Sequence, residues 1–232
     1  ISDRILSINT TKFYKIMEKI EIMTSTKLVK YSFAVDYMES KVKEISLKKA
    51  NEILWFLEHD HIYTQGTSTR ANEIIKNNGI KIIKTNRGGK TTYHGPGQRI
   101  VYFLIDLNKR KKDIRKFISI LENSLIEFLA NYEIESKSFK DRVGIWVTKT
   151  NKIKFEKERK IGAIGLRVSK WITYHGLSFN INPDLNYYED IYPCGLKNFK
   201  NTSLKELNIN ISNEEFDSKF SDIFLRKISE LS

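Results

Sequence analysis

The strongest constraint on the fold is a change of period along the chain. Over residues 113–132, Ile114, Phe117, Ile118, Leu121, Leu125, Phe128, Leu129 and Tyr132 recur at spacings of three and four, which predicts an amphipathic helix. The runs around it are short, β-branched or aromatic. They read as strands over 61–66, 80–84 and 100–107 before the helix, and over 143–147, 161–168 and 171–181 after it. In the last run Thr173, His175, Leu177, Phe179 and Ile181 fall on one face, and Tyr174, Gly176, Ser178 and Asn180 on the other. Apolar spacing predicts a first helix over 37–57, with Val42, Ile45, Ala50, Ile53, Leu54 and Leu57 on one side. Ser212 with Glu215 has capping-box spacing and opens a last helix through Phe216, Phe220, Phe224 and Ile228. Strands and helices mix without a βαβ rhythm. The expected class is α+β (irregular α/β), a mixed sheet flanked by helices.

Residues 1–26 are polar with weak periodicity and read as an N-terminal extension. Residues 27–232 read as a single domain, and no Ser/Gly-rich linker divides them. Apolar residues make up 40% of the chain and charged residues 29%, enough for a buried core. No apolar run approaches the roughly 20 residues of a membrane helix, and the first residues lack the apolar core of a signal peptide. A soluble cytoplasmic protein with no membrane partner is expected. The net charge is +12, but the lysines are scattered, with Lys109-Arg110-Lys111-Lys112 as the main cluster. That distribution suits acidic protein partners better than a nucleic acid, which would need a basic face interleaved with aromatic residues.

The chain has one cysteine. It cannot form an intramolecular disulfide or a Cys-rich zinc site. Pro193-Cys194-Gly195 suggests a tight turn, which sets the thiol at an end of the sheet. At an ordinary pKa of ~8.5 only about 3% of a thiol is ionised at pH 7, so a nucleophilic Cys194 needs a nearby positive charge. Lys160 is the candidate. It stands where a polar stretch gives way to Ile161-Gly162-Ala163-Ile164-Gly165, whose glycines would let a chain or carbonyl lie against the strand.

The segment Arg87-Gly88-Gly89-Lys90-Thr91-Thr92-Tyr93-His94-Gly95-Pro96-Gly97-Gln98 is dense in glycine and polar groups. Its backbone amides can form an oxyanion or phosphate nest, Arg87 could hold a phosphate, and His94 could polarise a carbonyl or orient a group. Thr92-Tyr93-His94-Gly95 recurs as Thr173-Tyr174-His175-Gly176, an echo that could mark two segments facing one site. Neither a complete phosphate loop nor a dinucleotide glycine fingerprint is present. His59 and His61 have the spacing of two zinc ligands on a strand, but four histidines and no thiolate cluster make an incomplete set, so no metal is expected.

Taken together these stretches resemble the lipoyl(octanoyl) transferase family. They are Leu54-Trp55-Phe56-Leu57-Glu58-His59, the segment from Arg87 to Gln98, Lys160-Ile161 with Ala163-Ile164-Gly165, Thr173-Tyr174-His175-Gly176-Leu177, and Pro193-Cys194-Gly195. They fall in the family's order, with 34 positions from Lys160 to Cys194. The chain departs from the pattern at 65–69 and in its lysine-rich 149–159. The resemblance implies a fold similar to the catalytic domains of biotin protein ligases and lipoate–protein ligases. It implies transfer of an octanoyl or lipoyl group, without a cofactor, from octanoyl-acyl carrier protein to a lysine of a lipoyl domain. The acceptors would be lipoyl domains of 2-oxoacid dehydrogenase complexes and the glycine cleavage H protein. By position Cys194 would carry the acyl thioester and Lys160 would lower its pKa. Arg87, Gly88, Gly89, Lys90, Thr91, Thr92, Tyr93 and His94 would line the substrate site with Ala163, Ile164, Gly165, His175, Gly176, Leu177 and Ser178. The competing readings are an ATP-dependent lipoate- or biotin-type ligase, which needs no cysteine, and a basic nucleic-acid-binding module.

Overall fold

The computed structural model describes residues 20–231, apart from 71–72, 77–78, 141, 152–153 and 193–198. Seven strands form the main sheet. They are β1 (Ile20–Thr24), β2 (Glu52–Leu57), β6 (Gln98–Leu104), β10 (Ile172–Asn180), β9 (Lys154–Ser169), β8 (Ile145–Thr150) and β7 (Ile134–Ser138), in that spatial order. β1 runs parallel to β2, and every other neighbouring pair is antiparallel, so the sheet is mixed. A smaller sheet sets β3 (Ile62–Gln65) between β4 (Lys81–Lys84) and β5 (Thr92–His94).

Two helices cover one face of the main sheet. They are α2 (Ile114–Ala130), capped by the Asp113 carboxylate accepting from the Lys116 amide, and α3 (Asn213–Ser229), capped by Ser212 accepting from the Glu215 amide. Phe216, Phe220 and Phe224 recur every four residues on α3 and meet Phe56, Phe103, Phe128 and Phe179. Each such burial stabilises the fold by about 2–3 kcal/mol. Arg99 of β6, fully buried, donates to both oxygens of Asp217 at 2.8 and 2.5 Å and fixes the helix on the sheet. On the opposite face α1 (Tyr31–Ser46) packs Ala34, Met38, Val42 and Ile45 onto Trp55, Tyr102 and Leu104.

Two departures from the expected elements bear on the core. The helix expected over 37–57 is α1 followed by β2. Ile53, Leu54 and Leu57 belong to a strand buried on both faces. A continuous apolar run is compatible with either period, and the break comes at Lys48, whose φ is +59°. The sheet also reaches into the stretch read as an extension, because β1 pairs with β2 and Ile20 joins the core.

Candidate active site

Beyond the N-terminal end of α1, the same face of the sheet floors a cavity of about 350 Å³. Two cross-strand rows make the floor: Tyr102, Gly176 and Gly165 in one, Ile100, Ser178 and Ala163 in the next. Four of these six side chains are small, which hollows the sheet at β9 and β10. Tyr31, at the start of α1, closes one side, and Arg142 and Val143 stand on another. The resemblance did not point to Tyr31, Ser68, Ile100, Tyr102, Arg142 or Val143, all of which line the cavity. Alternation along β6 is the signal that could have found Ile100 and Tyr102, once their register against Gly176 and Ser178 is known.

The loop between β4 and β5 forms the remaining wall. Arg87 is its clasp. Its Nε donates to Thr64 Oγ1 at 3.1 Å, its Nη1 to the Gly88 carbonyl at 2.9 Å, and its Nη2 to the Thr64 and Lys90 carbonyls at 2.7 and 2.8 Å. The guanidinium closes the loop on itself and also lines the cavity. Gly89 has φ +88°, a conformation that L side chains rarely adopt. The Gly88 amide donates to the Leu166 carbonyl at 3.0 Å, so the loop lies on β9. A Cβ on Gly165 would come within 2.9 Å of the Gly88 carbonyl, so this glycine admits the loop, not a ligand.

Of the expected loop residues, Arg87, Gly89, Lys90, Thr92 and His94 line the cavity. Gly88, Thr91 and Tyr93 do not. Gly88 rests on β9, the Thr91 amide donates to Glu73 at 2.9 Å, and Tyr93 points away into a cluster with Tyr63 and Tyr188, as alternation along β5 requires. From the second motif, Ala163, Ile164, Gly165, His175, Gly176, Leu177 and Ser178 all line it. The echoed tetrapeptides therefore meet at one cavity through His94 and His175.

His175 leaves the face that alternation assigns to it. Its φ is +56°, and its ring stacks on the preceding Tyr174 at 5.1 Å and meets Tyr102 edge-on at 6.0 Å. A non-glycine residue at positive φ is strained, a feature that collects at functional sites. His59 and His61 do not converge on a common point. His59 bonds the Val29 carbonyl and the Tyr102 hydroxyl, and His61 bonds the Tyr93 hydroxyl. Among the described residues no cluster of three His, Cys, Asp or Glu side chains could hold a metal ion.

Burial keeps three imidazoles neutral. It lowers His59 to about 4 and, helped by the Arg87 charge, His175 to about 3. Burial also holds His94 well below the ordinary value, with His59 and Arg87 adding to the effect. Folded pKa values below the unfolded value stabilise the fold fully above pH 6.5, and that stability is lost as pH falls towards 4 and 3. Denaturant unfolding at pH 7 and pH 4.5 is expected to show a loss of at least about 2 kcal/mol from His59 alone. A flat profile over that interval would mean that the imidazoles are not held neutral.

Lys160 lies beside this cavity. It is 5% exposed, its Nζ donates to the Val143 carbonyl at 2.9 Å, and it sits 5.5 Å from the centre of the Trp146 ring. It lines a small adjoining pocket that shares Thr92 and Ala163 with the main cavity. Gly144 makes room for it, since a Cβ there would fall 2.5 Å from Lys160 Cε. The Lys160 amide donates to the Lys200 carbonyl, and the Thr202 amide to the Lys160 carbonyl. Cys194 lies outside the described residues.

A family model described as the lipoyl protein ligase A/B catalytic domain matches residues 30–225. The chain belongs to this family. An octanoyltransferase of Bartonella bacilliformis is 42% identical over 209 residues, covering 88% of this chain and 87% of the relative. Another, of Ehrlichia canis, is 44% identical over 201 residues, covering 84% and 92%. At that similarity over most of both chains, the protein is an acyltransferase of the octanoyltransferase type. The fold is shared with more distant enzymes. A bipartite lipoate protein ligase of Thermoplasma acidophilum superposes with a TM-score of 0.63 at 14% identity, covering 91% of this chain and 84% of that one. A lipoate-protein ligase A bound with ATP superposes at 0.61 and 16% identity, covering 91% and 85%. The octanoyltransferase thus builds its cavity on a sheet that ligases also use, and the sequence relationship separates the two activities.

Proposed function

We propose that this octanoyltransferase-family enzyme takes an octanoyl group from acyl carrier protein as a thioester on Cys194 and passes it to one lysine of a lipoyl domain. The observation that carries the reading is the buried Lys160 ammonium at the rim of a cavity with an apolar floor. It is hydrogen-bonded through its backbone to Lys200, six residues beyond Cys194. The Cys194 thiolate attacks the donor thioester, and the carrier's thiolate leaves. Thioester replaces thioester, so the exchange requires no ATP. The acceptor lysine then attacks the acyl-cysteine carbonyl, and the amide forms as the Cys194 thiolate departs. The departing carrier thiolate takes a proton from the Lys160 side chain, and the neutral amine left there can take the proton that the incoming acceptor amine must lose.

Intact mass after mixing the enzyme with octanoyl-acyl carrier protein, without ATP, tests this. An adduct of about 126 Da on the wild type is expected for a covalent octanoyl-enzyme. Transfer that appears only with ATP and free octanoate would replace the proposal with ligase chemistry on the same fold.

A further inference from the structure

The hydrogen bonds around His94 run in one direction, and a backbone carbonyl fixes that direction. Asn180 Nδ2 donates to the Thr202 carbonyl at 3.0 Å, which can only accept. Asn180 therefore presents Oδ1 to Gln98, whose Nε2 donates to it at 3.0 Å and to the Tyr188 hydroxyl at 2.6 Å. Gln98 is left with Oε1 towards His94 Nδ1, 2.7 Å away. An amide oxygen accepts, so the proton of the neutral imidazole sits on Nδ1. Nε2 is then an unprotonated acceptor. It has no hydrogen-bond partner among the described residues, and His94 lines the cavity.

Of the two roles that the sequence suggests for His94, this polarity disfavours polarising a carbonyl and agrees with orienting a group. A nitrogen with a lone pair and no proton cannot polarise a carbonyl or donate to an oxyanion. It must meet a donor. The Tyr102 hydroxyl has the same character. His59 donates from Nδ1 to the Val29 carbonyl, so its Nε2 accepts the Tyr102 hydroxyl proton at 2.7 Å, and Tyr102 faces the cavity with oxygen lone pairs only. His175 Nε2 lies 3.0 Å from Asn86 Oδ1, and its Nδ1 is buried without a partner among the described residues. His94 Nε2 and the Tyr102 oxygen thus offer lone pairs at one end of the cavity, beside the Tyr31 hydroxyl, which can donate or accept, and the Arg87 charge is close enough to lower His94 and His175. Such a site suits a primary amine, which has N–H groups to donate, and the positive charge beside it disfavours the ammonium form.

We infer that His94 Nε2 accepts a hydrogen bond from the amine of the acceptor lysine and aims its lone pair at the acyl carbonyl, and that Gln98 and Asn180 are positioning residues that fix the required tautomer. No net proton transfer to His94 is involved. The one proton that the amine loses goes to Lys160, and Cys194 leaves as thiolate, as in the proposed reaction, on which this inference rests.

Two measurements test it. Long-range ¹H–¹⁵N spectra of the four imidazoles are expected to show His94 neutral with its proton on Nδ1. Half-reactions are then followed separately, loading from octanoyl-acyl carrier protein and transfer from isolated octanoyl-enzyme to a lipoyl domain. Gln98→Leu removes the acceptor for Nδ1–H. It is expected to slow transfer by about 30–100-fold, the scale of a lost orienting contact, while loading changes by less than about threefold. Gln98→Glu keeps an acceptor and is expected to recover at least about a tenth of the wild-type transfer rate. A His94 proton on Nε2, equal rates for the two variants, or loading slowed as much as transfer would each overturn the inference. The last result would point to the Cys194 thiol as the donor. If the wild type forms no acyl-enzyme, the covalent reading fails separately. The tautomer spectrum and the overall transfer rate of Gln98→Leu then decide the role of His94.

Discussion

Cys194→Ser is expected to abolish octanoyl transfer, with a loss of more than about 10³-fold in turnover and no covalent adduct on the protein. A serine hydroxyl stays protonated at neutral pH even beside an ammonium, so it does not attack the donor. A thioester is also activated towards amines in a way that the serine ester would not be. The measurement is octanoylation of a lipoyl domain by intact mass, wild type against variant, at saturating donor. Full turnover by the serine variant would remove the covalent intermediate and leave direct transfer from donor to lysine.

Lys160→Met is the second large effect. Methionine is one atom shorter but keeps an unbranched apolar stem against Trp146, so most of the buried site stays filled while the charge and the hydrogen bond to the Val143 carbonyl are lost. The expected loss is about 10²–10⁴-fold, the range for a general acid–base group. The sign of the pH effect follows from the charge. In the proposed reaction an ammonium near Cys194 would favour thiolate and lower the thiol pKa, so its removal would let that pKa rise towards about 8.5. Alkylation of Cys194 by iodoacetamide as a function of pH reads this directly. The variant's curve is expected to move to higher pH, and coincident curves would show that Lys160 does not tune the thiol.

Much of the architecture could be read from local pattern. The helix over 113–132, the Ser212 cap and the strands of the second half follow from period and turn chemistry, and they appear as α2, α3 and β8–β10. The first helix was overextended, because Glu52–Leu57 is apolar at every position after the first and so carries no period to distinguish helix from strand. The site was partly legible. Glycine density singled out the 87–98 segment, but the purpose of individual residues was not visible. That Arg87 clasps its own loop was not visible, because its partners Thr64 and Lys90 are brought to it by β3 and the fold of the loop.

The sequence by itself carried the long amphipathic helices, the strands of β8–β10 and the family, because each depends on side-chain type and spacing along a few turns of chain. The tertiary structure alone decided which face each residue serves. Cross-strand register hollowed the sheet under the loop with Gly165, Gly176, Ala163 and Ser178. A positive φ turned His175 out of its alternation. A backbone carbonyl at Thr202, remote in sequence from His94, set the direction of a hydrogen-bond chain that leaves one imidazole nitrogen free to accept. Direction in such a chain depends on donors and acceptors meeting in space, and no local pattern encodes it.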